Sequence, residues 1–245
     1  MRESFKRIFL VHKCVGCRKI LDYKNFNDAF CPTCREAYLS AKMEICPECS
    51  LEAEKCRCMP PLLKKDKKTV SLRRMFFYSK NKGGEVQNRL IYYLKRNKSK
   101  RVSYAIAGEL LPLVNAELAK LKIDEIPLLV GVPRSRSAFF EYGFDQADML
   151  CRAMAERCGL EYCAALKRRR GGKAQKSLTS GERRKNIKNL VYVDKDTAEK
   201  IKNRTVVLLD DVVTTGASMS ACAQLLSECG AKNVVCIAIA SDIKT

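Results

Sequence analysis

Two adjacent carboxylates near the C-terminus, Asp210 and Asp211, directly follow an apolar run. The run, Val-Val-Leu-Leu at residues 206–209, predicts a strand that is buried on both faces, as in a parallel sheet. Open α/β sheets bind their ligands at the carboxyl ends of the strands. Because two buried acids are costly without a partner, we expect a ligand beside them. The alternative is a buried strand, a turn and a capped helix that bind nothing.

The residues after the acidic pair are suited to binding an anion. Thr214, Thr215, Gly216 and Ser218 offer hydroxyls and backbone N–H groups where the next helix is predicted to begin. Helix N-termini favour anions, phosphate groups among them. No lysine follows the glycine, so the segment is not a P-loop. Carboxylates beside a phosphate cradle indicate a ligand with both a phosphate and ribose hydroxyls, bound with Mg²⁺.

Residues 206–218 resemble the phosphoribosyl pyrophosphate (PRPP) motif of type I phosphoribosyltransferases. In that family an apolar strand, two acidic residues and two further residues precede Thr-Thr-Gly-x-Ser/Thr, and every element is present here. The resemblance implies that the acidic pair holds the ribose hydroxyls and that the loop holds the 5′-phosphate. The implied PRPP-binding residues are Asp210, Asp211, Val212, Val213, Thr214, Thr215, Gly216, Ala217 and Ser218.

A second strand end carries arginines. Residues 126–132 predict a buried strand, and an exposed turn with Arg134, Ser135 and Arg136 follows it. Type I phosphoribosyltransferases bind pyrophosphate on a strand-end loop in this region, so the resemblance assigns these three residues to pyrophosphate. Arginine forks suit phosphate oxygens. An exposed basic loop without a ligand is the alternative.

Eight of the fourteen cysteines lie within residues 14–58 as three C-x-x-C pairs and one C-x-C pair. Such short loops place two sulfurs on one tetrahedral ion at about 2.3 Å, and four thiolates leave no open position for catalysis. We therefore predict two structural zinc sites, arranged most simply as tandem ribbons, although a cross-braced pairing would use the same residues. The ligands of the tandem pairing are Cys14, Cys17, Cys31 and Cys34 in one site and Cys46, Cys49, Cys56 and Cys58 in the other.

The chain of 245 residues is strongly basic, with a formal net charge of +20 and a pI near 9.5. Such a charge favours acidic partners, either nucleic acid or phosphorylated ligands. No apolar stretch approaches the roughly 20 residues that span a bilayer, and the apolar N-terminal run is too short for a signal peptide. Cysteines in metal-like pairs favour a reducing cytoplasm over a secreted disulfide scaffold.

The basic charge is concentrated in two segments, residues 64–101 with a net +12 and residues 167–188 with a net +9. The first contains Phe76, Phe77, Tyr78, Tyr92 and Tyr93, which either stack on the bases of single-stranded DNA or form the core faces of a strand and a helix. The second could close over PRPP and stabilise the departing pyrophosphate, or bind nucleic acid. Its candidate residues are Arg169, Arg170, Lys173, Gln175 and Arg183.

Two further motifs narrow the resemblance to the ComF family of competence-associated, amidophosphoribosyltransferase-like proteins. Residues 142–146 are similar to its Gly-Phe-Asn-Gln signature, with Asp145 in place of the asparagine. Residues 175–186 match its Gln-x-x-Leu-x-x-x-x-Arg-x-x-Asn pattern. Together with the cysteine block, the resemblance covers nearly the whole chain. It implies a cytoplasmic role in handling transforming single-stranded DNA, with a competence helicase or other DNA-uptake proteins as partners.

From residue 102 onward, strand and helix patterns alternate, which favours a parallel sheet. We predict an α/β fold, a type I phosphoribosyltransferase-like parallel sheet flanked by helices, with a small N-terminal double zinc-ribbon domain. The expected domains are the ribbons at 1–60, a basic strand-plus-helix segment at 61–101 packed on the core, and the phosphoribosyltransferase-like domain at 102–245.

Three functions are compatible with these motifs. The first is a PRPP- and Mg²⁺-binding protein that acts in DNA uptake and natural transformation. The second is an active phosphoribosyltransferase of nucleotide metabolism that transfers phosphoribosyl from PRPP to a nitrogen acceptor, although no residue in the sequence identifies a general base. The third, a PRPP-responsive regulator, requires a DNA-reading element, and the sequence shows no helix-turn-helix pattern.

Overall fold

The longest apolar runs of the sequence form one parallel sheet with the strand order β1-β7-β6-β2-β3, and β4 pairs with β5 in a separate antiparallel ribbon. The structure, a computed structural model, describes residues 11–64, 69–78, 84–123, 125–169 and 190–242. Within them the strands are β1 Thr69–Tyr78, β2 Leu128–Gly131, β3 Glu161–Tyr162, β4 Leu166–Arg168, β5 Val191–Val193, β6 Thr205–Val213 and β7 Asn233–Asp242.

Eight helical segments lie in the part of the chain that the structure describes. They are α1 Pro32–Lys42, α2 Pro61–Lys64, α3 Val86–Arg96, α4 Lys100–Lys120, α5 Arg136–Tyr142, α6 Gln146–Cys158, α7 Lys195–Ile201 and α8 Ala217–Glu228. The limits of α6 are set by a capping residue at each end. Asp145 caps its N-terminus through the backbone N–H groups of Ala147 and Asp148, and Gly159 ends it with a φ of +68°.

The sheet is buried on both faces because its side chains alternate between two cores. Val207 and Leu209 of β6 pack into one core with α3, α4 and α6, while Val206 and Leu208 pack into the other with α8. All four of these residues are fully buried. The predicted α/β fold with a parallel sheet flanked by helices is therefore confirmed.

The first basic segment contributes an edge strand and a helix, β1 and α3, at the predicted positions. Phe76, Phe77 and Tyr78 are buried, and Tyr92 is 43% exposed. Most of these rings therefore belong to the core, and the stacking interpretation retains Tyr92. The division of the chain at residues 60 and 101 stays a prediction. No helix among the described residues has the length and apolar character that crossing a membrane requires.

Buried charges join the cysteine-rich block to the sheet. Arg73 on β1 is 6% exposed and donates from Nη1 to Oε1 of Glu117 on α4 at 2.6 Å. Arg57 of the cysteine block lies 2.9 Å from the same oxygen. Burial by itself raises the pKa of Glu117, but these two arginines and neighbouring hydrogen bonds hold it below its ordinary value. The carboxylate thus connects three parts of the chain.

Candidate functional site

The acidic pair lies where one side of β6 loses its neighbour. Strand β2 ends at Gly131, which is paired with Leu209, while β6 continues along β7 as far as Val213. Asp210 and Asp211 therefore extend past β2, and a cavity of about 420 Å³ opens beside them. This size is typical of small-molecule sites. Its lining includes Tyr92, Lys95, Arg96, Pro133, Arg134, Ser135, Tyr142, Gln146, Arg168, Asp210, Asp211, Val212 and Ser218.

Asp211 is 4% exposed and is held by groups from two helices. Its Oδ2 accepts a hydrogen bond from Nε2 of Gln146 at 3.1 Å and lies 3.6 Å from Nζ of Lys95. Its Oδ1 accepts from the backbone N–H of Val212 at 2.7 Å. Donors on both oxygens fix the orientation of the carboxylate.

Asp210 carries less compensation. Its Oδ1 accepts from the backbone N–H of Asp211 at 2.8 Å. Burial, and next the charge of Asp211, raise the pKa of Asp210 well above its ordinary value, while the ammonium of Lys95 opposes this effect. A cation or hydroxyl donors in the cavity would stabilise the ionised form. The pair is therefore suited to a ligand that brings positive charge or hydroxyl groups.

The predicted phosphate loop leads into α8. Gly216 adopts a φ of +77°, a conformation that side chains disfavour, so glycine is required at the turn. Thr215 Oγ1 accepts from the backbone N–H of Ala217 at 3.4 Å. Ser218 lines the cavity with the acidic pair, whereas Thr214 lines a smaller cavity of about 50 Å³ beside Cys46 and Cys58. Val213, Gly216 and Ala217 are buried.

The side chains of residues 134–136, the predicted pyrophosphate loop, are divided between two cavities. Arg134 donates its backbone N–H to Asp145 Oδ2 at 2.6 Å, and its Nη2 donates to the carbonyl of Lys95 at 2.8 Å. Ser135 caps α5 and borders the cavity of the acidic pair. Arg136 lines a second cavity of about 850 Å³ instead. Binding of pyrophosphate by these three residues stays a prediction.

The second cavity combines arginine with aromatic rings. Arg136, Arg168 and Arg169 line it together with Tyr192. The guanidinium of Arg169 lies 5.4 Å from the centre of the Tyr192 ring, and that of Arg136 lies 5.4 Å from the ring of Phe140. Phe140 is 74% exposed. Of the predicted basic loop, Arg169 lies at this cavity, and Arg170, Lys173, Gln175 and Arg183 lie outside the described residues.

Sequence reasoning did not assign Tyr92, Lys95, Gln146 and Arg168 to the cavity of the acidic pair. Gln146 ends the 142–146 motif, and Arg168 lies in the basic run, so both carried a signal. Arg168 donates from Nη1 to the carbonyl of Pro133 at 3.3 Å and lines both cavities. Lys95 was one lysine among many in a basic segment, and nothing in its spacing indicated that it faces Asp211.

The eight N-terminal cysteines form two groups of four in the tandem pairing. One group is Cys14, Cys17, Cys31 and Cys34, and the other is Cys46, Cys49, Cys56 and Cys58, with the sulfurs of each group within 4.8 Å of one another. Sγ of Cys17 and Sγ of Cys31 are 3.7 Å apart. Two sulfurs on a tetrahedral zinc with bonds of about 2.3 Å are separated by about 3.8 Å. Both groups could hold zinc.

Comparison with known proteins gives a family and several relatives. Residues 110–245 match the family model described as "Phosphoribosyl transferase domain". The chain is 25% identical over 229 residues to the DNA utilization protein YhgH of Salmonella typhimurium, a match that covers 90% of this chain and 93% of that protein. It is 28% identical over 116 residues to Competence protein F of Haemophilus influenzae, covering 47% and 49% of the two chains. The resemblance to the ComF family is thereby confirmed.

Solved structures with a similar chain trace include the glutamine PRPP amidotransferase from B. subtilis. The TM-score is 0.34 at 18% identity, and the match covers 63% of this chain. The matched region spans 27% of the length of that amidotransferase.

Proposed function

This chain belongs to the phosphoribosyl transferase domain family, and we propose that it binds PRPP with Mg²⁺ in the cavity at the carboxyl end of β6. The observation that carries the proposal is the acidic pair in the 420 Å³ cavity. Burial and the neighbouring charge of Asp211 raise the pKa of Asp210. A cation or hydroxyl groups in the cavity would therefore lower the free-energy cost of its ionised form. Ribose hydroxyls and a divalent cation supply both.

The groups around the pair assign the parts of the ligand. Asp210 and Asp211 would accept hydrogen bonds from the ribose hydroxyls. The 5′-phosphate would lie at the N-terminus of α8, near the backbone and hydroxyl of Ser218. Carboxylate oxygens are ligands that Mg²⁺ prefers, so the acidic pair would hold the ion, which neutralises phosphate charge when bound. Lys95 and Arg168 border the same cavity and add positive charge for the pyrophosphate.

Zinc in the two cysteine groups would serve structure. Four thiolates saturate a tetrahedral ion, so no position remains for a substrate. None of the fourteen cysteines is in a disulfide, which suits a reducing cytoplasm. We therefore place the function of this protein in the cytoplasm.

We further propose that the protein uses this site in DNA utilization, through contacts with single-stranded DNA. The names of its relatives, a DNA utilization protein and Competence protein F, support such a role. The second cavity offers Arg136 and Arg169 for phosphates and Tyr192 for bases, and the exposed Phe140 lies beside Arg136. Such basic and aromatic surfaces bind single strands without sequence preference. A competence helicase or another DNA-uptake protein is the expected protein partner.

An active phosphoribosyltransferase is the second candidate. The second cavity adjoins the first at Arg168, so an acceptor bound there would lie beside the proposed PRPP site. Release of pyrophosphate from PRPP in the presence of single nucleobases, ammonia or DNA ends tests this candidate. If PRPP binds but no pyrophosphate is released with any acceptor, the protein binds PRPP without transferring its phosphoribosyl group.

Isothermal titration calorimetry of PRPP with Mg²⁺ tests the first proposal. We expect binding by the wild type and at least a tenfold loss for Asp211→Asn, because the amide cannot accept as strongly from hydroxyls or hold the cation. Glu199→Gln, at an exposed position of α7, is the matched control and should bind as the wild type does. A wild type that binds no PRPP would refute the proposal.

A further inference from the structure

We propose that the second cysteine group, through Pro60, positions the loop of residues 214–218, so that metal retention at Cys46, Cys49, Cys56 and Cys58 is coupled to phosphate binding. The proposal rests on the assignment of that loop to the phosphate of PRPP. It gives the N-terminal block a role in the site, beyond its own stability.

The first link is a direct contact with the turn of the loop. A Cβ on Gly216 would lie 3.1 Å from Cβ of Pro60 and 3.6 Å from Cβ of Leu63. Few real Cβ atoms approach a neighbour that closely, so a side chain at Gly216 would require Pro60 to move by a few tenths of an ångström. Gly216 is buried at this contact. The position of the turn therefore depends on the position of Pro60.

A second link holds the next turn of α8. Ser220 donates from Oγ to the carbonyl of Leu62 at 2.9 Å, across 158 residues of sequence. Leu63 is fully buried and packs into the same core as Ala217 and Met219 of α8. The α2 turn thus fixes the N-terminal end of α8, the end that would face the phosphate.

Pro60 is in turn tied to the cysteine group by the chain. Cys58 precedes it by two residues, and a narrow cavity of about 50 Å³ is lined jointly by Cys46, Cys58, Pro60 and Thr214. The loop and the metal ligands are therefore neighbours, with little space between them. A displacement of Cys58 would be transmitted to Pro60 over a single intervening residue.

A buried arginine anchors this group to the sheet. Arg74 on β1 is 3% exposed and donates from Nη1 to Sγ of Cys56 at 3.2 Å and from Nη2 to the carbonyl of Cys58. Loss of the metal or oxidation of the thiolates would remove a partner of a buried cation, which is strongly unfavourable. The segment carrying Cys58 and Pro60 would then have to rearrange.

The first cysteine group is built into a different part of the molecule. The carbonyl of Gly16 accepts from Nη1 of Arg89 on α3 at 2.6 Å, and Cys14 and Cys34 pack into the core of α3 and α4. This group contacts α3 at Arg89. Lys95 is about 9 Å further along the helix axis, at 1.5 Å per residue. The first group is therefore an internal control.

Coupling between two sites is reciprocal. If the metal at the second group favours the loop geometry that binds phosphate, a bound phosphate ligand must favour retention of that metal by the same factor. Because metal binding stabilises small cysteine-rich units, the effect is measurable as the rate at which a chelator removes zinc.

The experiment uses the full-length, zinc-loaded wild type. Chelator and iodoacetamide are added with and without saturating PRPP and Mg²⁺, and peptide mapping follows alkylation of each cysteine. We expect PRPP to slow alkylation of the second group at least fivefold and to change the first group less than twofold. Equal rates for both groups, with PRPP bound in a parallel titration, would overturn the coupling alone. Absence of PRPP binding would overturn the proposed function and the coupling together.

A pair of proline variants tests the contact itself without touching a metal ligand. Pro60→Gly removes the Cβ and ring that touch Gly216, whereas Pro112→Gly changes an exposed proline inside α4. We expect at least a fivefold weaker affinity for PRPP in the first and less than a twofold change in the second. Equal affinities in variants that retain two zinc ions would exclude Pro60 as the connecting residue.

Discussion

Gln146 at the start of α6 donates a hydrogen bond from Nε2 to Oδ2 of Asp211 on β6 at 3.1 Å. The bond joins the last residue of the 142–146 motif to the acidic pair, two segments that are 65 residues apart. It explains why that motif and the PRPP motif occur in one chain, because the first orients a carboxylate of the second.

Removing the amide of Gln146 should weaken ligand binding more than folding. In Gln146→Ala, Asp211 keeps its backbone donor and Lys95 but loses a buried hydrogen bond, worth about 0.5–1.5 kcal/mol. We expect PRPP affinity to fall by about 3- to 10-fold in calorimetry. An unchanged affinity would show that the carboxylate is oriented without Gln146, and circular dichroism of the variant serves as the folding control.

Asp210→Asn should stabilise the ligand-free protein while it impairs binding. The pKa of Asp210 is raised by burial and by Asp211. The contribution of this group to the free energy of unfolding is therefore fully present at low pH, and it is lost as the pH rises through the pKa of the folded state. The amide removes this loss at neutral pH. We expect an increase in Tm at pH 7 of about 2–4 °C, equivalent to about 1 kcal/mol, and a smaller fall of Tm as the pH rises above the ordinary aspartate pKa of about 4.

The outcome separates two roles of Asp210. If Asp210 is a binding residue whose charge destabilises the free protein, its replacement stabilises that protein. PRPP then raises the Tm of the variant less than the Tm of the wild type. A lower Tm in the variant at pH 7 would mean that the carboxylate is a structural hydrogen-bond acceptor instead.

Two glycines with similar backbone angles distinguish strain from crowding. Gly216 and Gly143 have φ values of +77° and +75°, but an added Cβ would be 3.1 Å from Pro60 at the first and would have no neighbour within 4 Å at the second. Both alanine variants bear the cost of a left-handed residue, about 1–2 kcal/mol. We expect only Gly216→Ala to lose a further 1 kcal/mol or more, about that of overpacking, and to bind PRPP at least tenfold more weakly.

Chemical denaturation and calorimetry of the two variants measure these effects. Equal loss of stability and equal affinity in both would contradict the close contact with Pro60. It would also weaken the coupling proposed above, since the same contact carries it.

Glu117→Gln should be strongly destabilising. The carboxylate is 1% exposed and compensates the buried Arg73 as well as Arg57. Breaking a buried pair typically costs about 3–5 kcal/mol. Glu156→Gln, which loses an exposed pair with Lys100 at 2.8 Å, should have little effect because water screens exposed ion pairs. Urea titrations compare the two, and similar midpoints would show that Arg73 is satisfied without Glu117.

Phe140→Ala tests the proposed single-strand surface. Its ring is 74% exposed beside Arg136, and stacking of a base on such a ring is worth about 1–3 kcal/mol. We expect at least a fivefold weaker affinity for single-stranded DNA in a gel shift at low salt, with no change in Tm. Tyr23→Ala, 75% exposed on the cysteine-rich block, is the aromatic control. Equal affinities of the two variants would move the DNA surface elsewhere.

Local patterns made much of the fold predictable. Apolar runs indicated β2 and β6, and the cysteine spacing indicated two sites for metal. The strand before the acidic pair was predicted to end at Leu209, yet β6 continues to Val213 because β7 supplies hydrogen-bond partners beyond the end of β2. Such pairing depends on a neighbour that is distant in sequence.

The sequence by itself determined which reactive groups this protein carries: paired carboxylates after a buried strand, a glycine in the turn that follows them, and thiols in metal-ligand spacing. These are properties of adjacent residues and of single side chains, so they can be read without a fold. Tertiary structure decided which basic residues meet the acids. Lys95 and Arg168 border the cavity while Arg136 faces another and Arg73 is buried in a structural pair. A sequence gives the number of basic side chains but not where they point, and only packing between distant segments places them beside the acids.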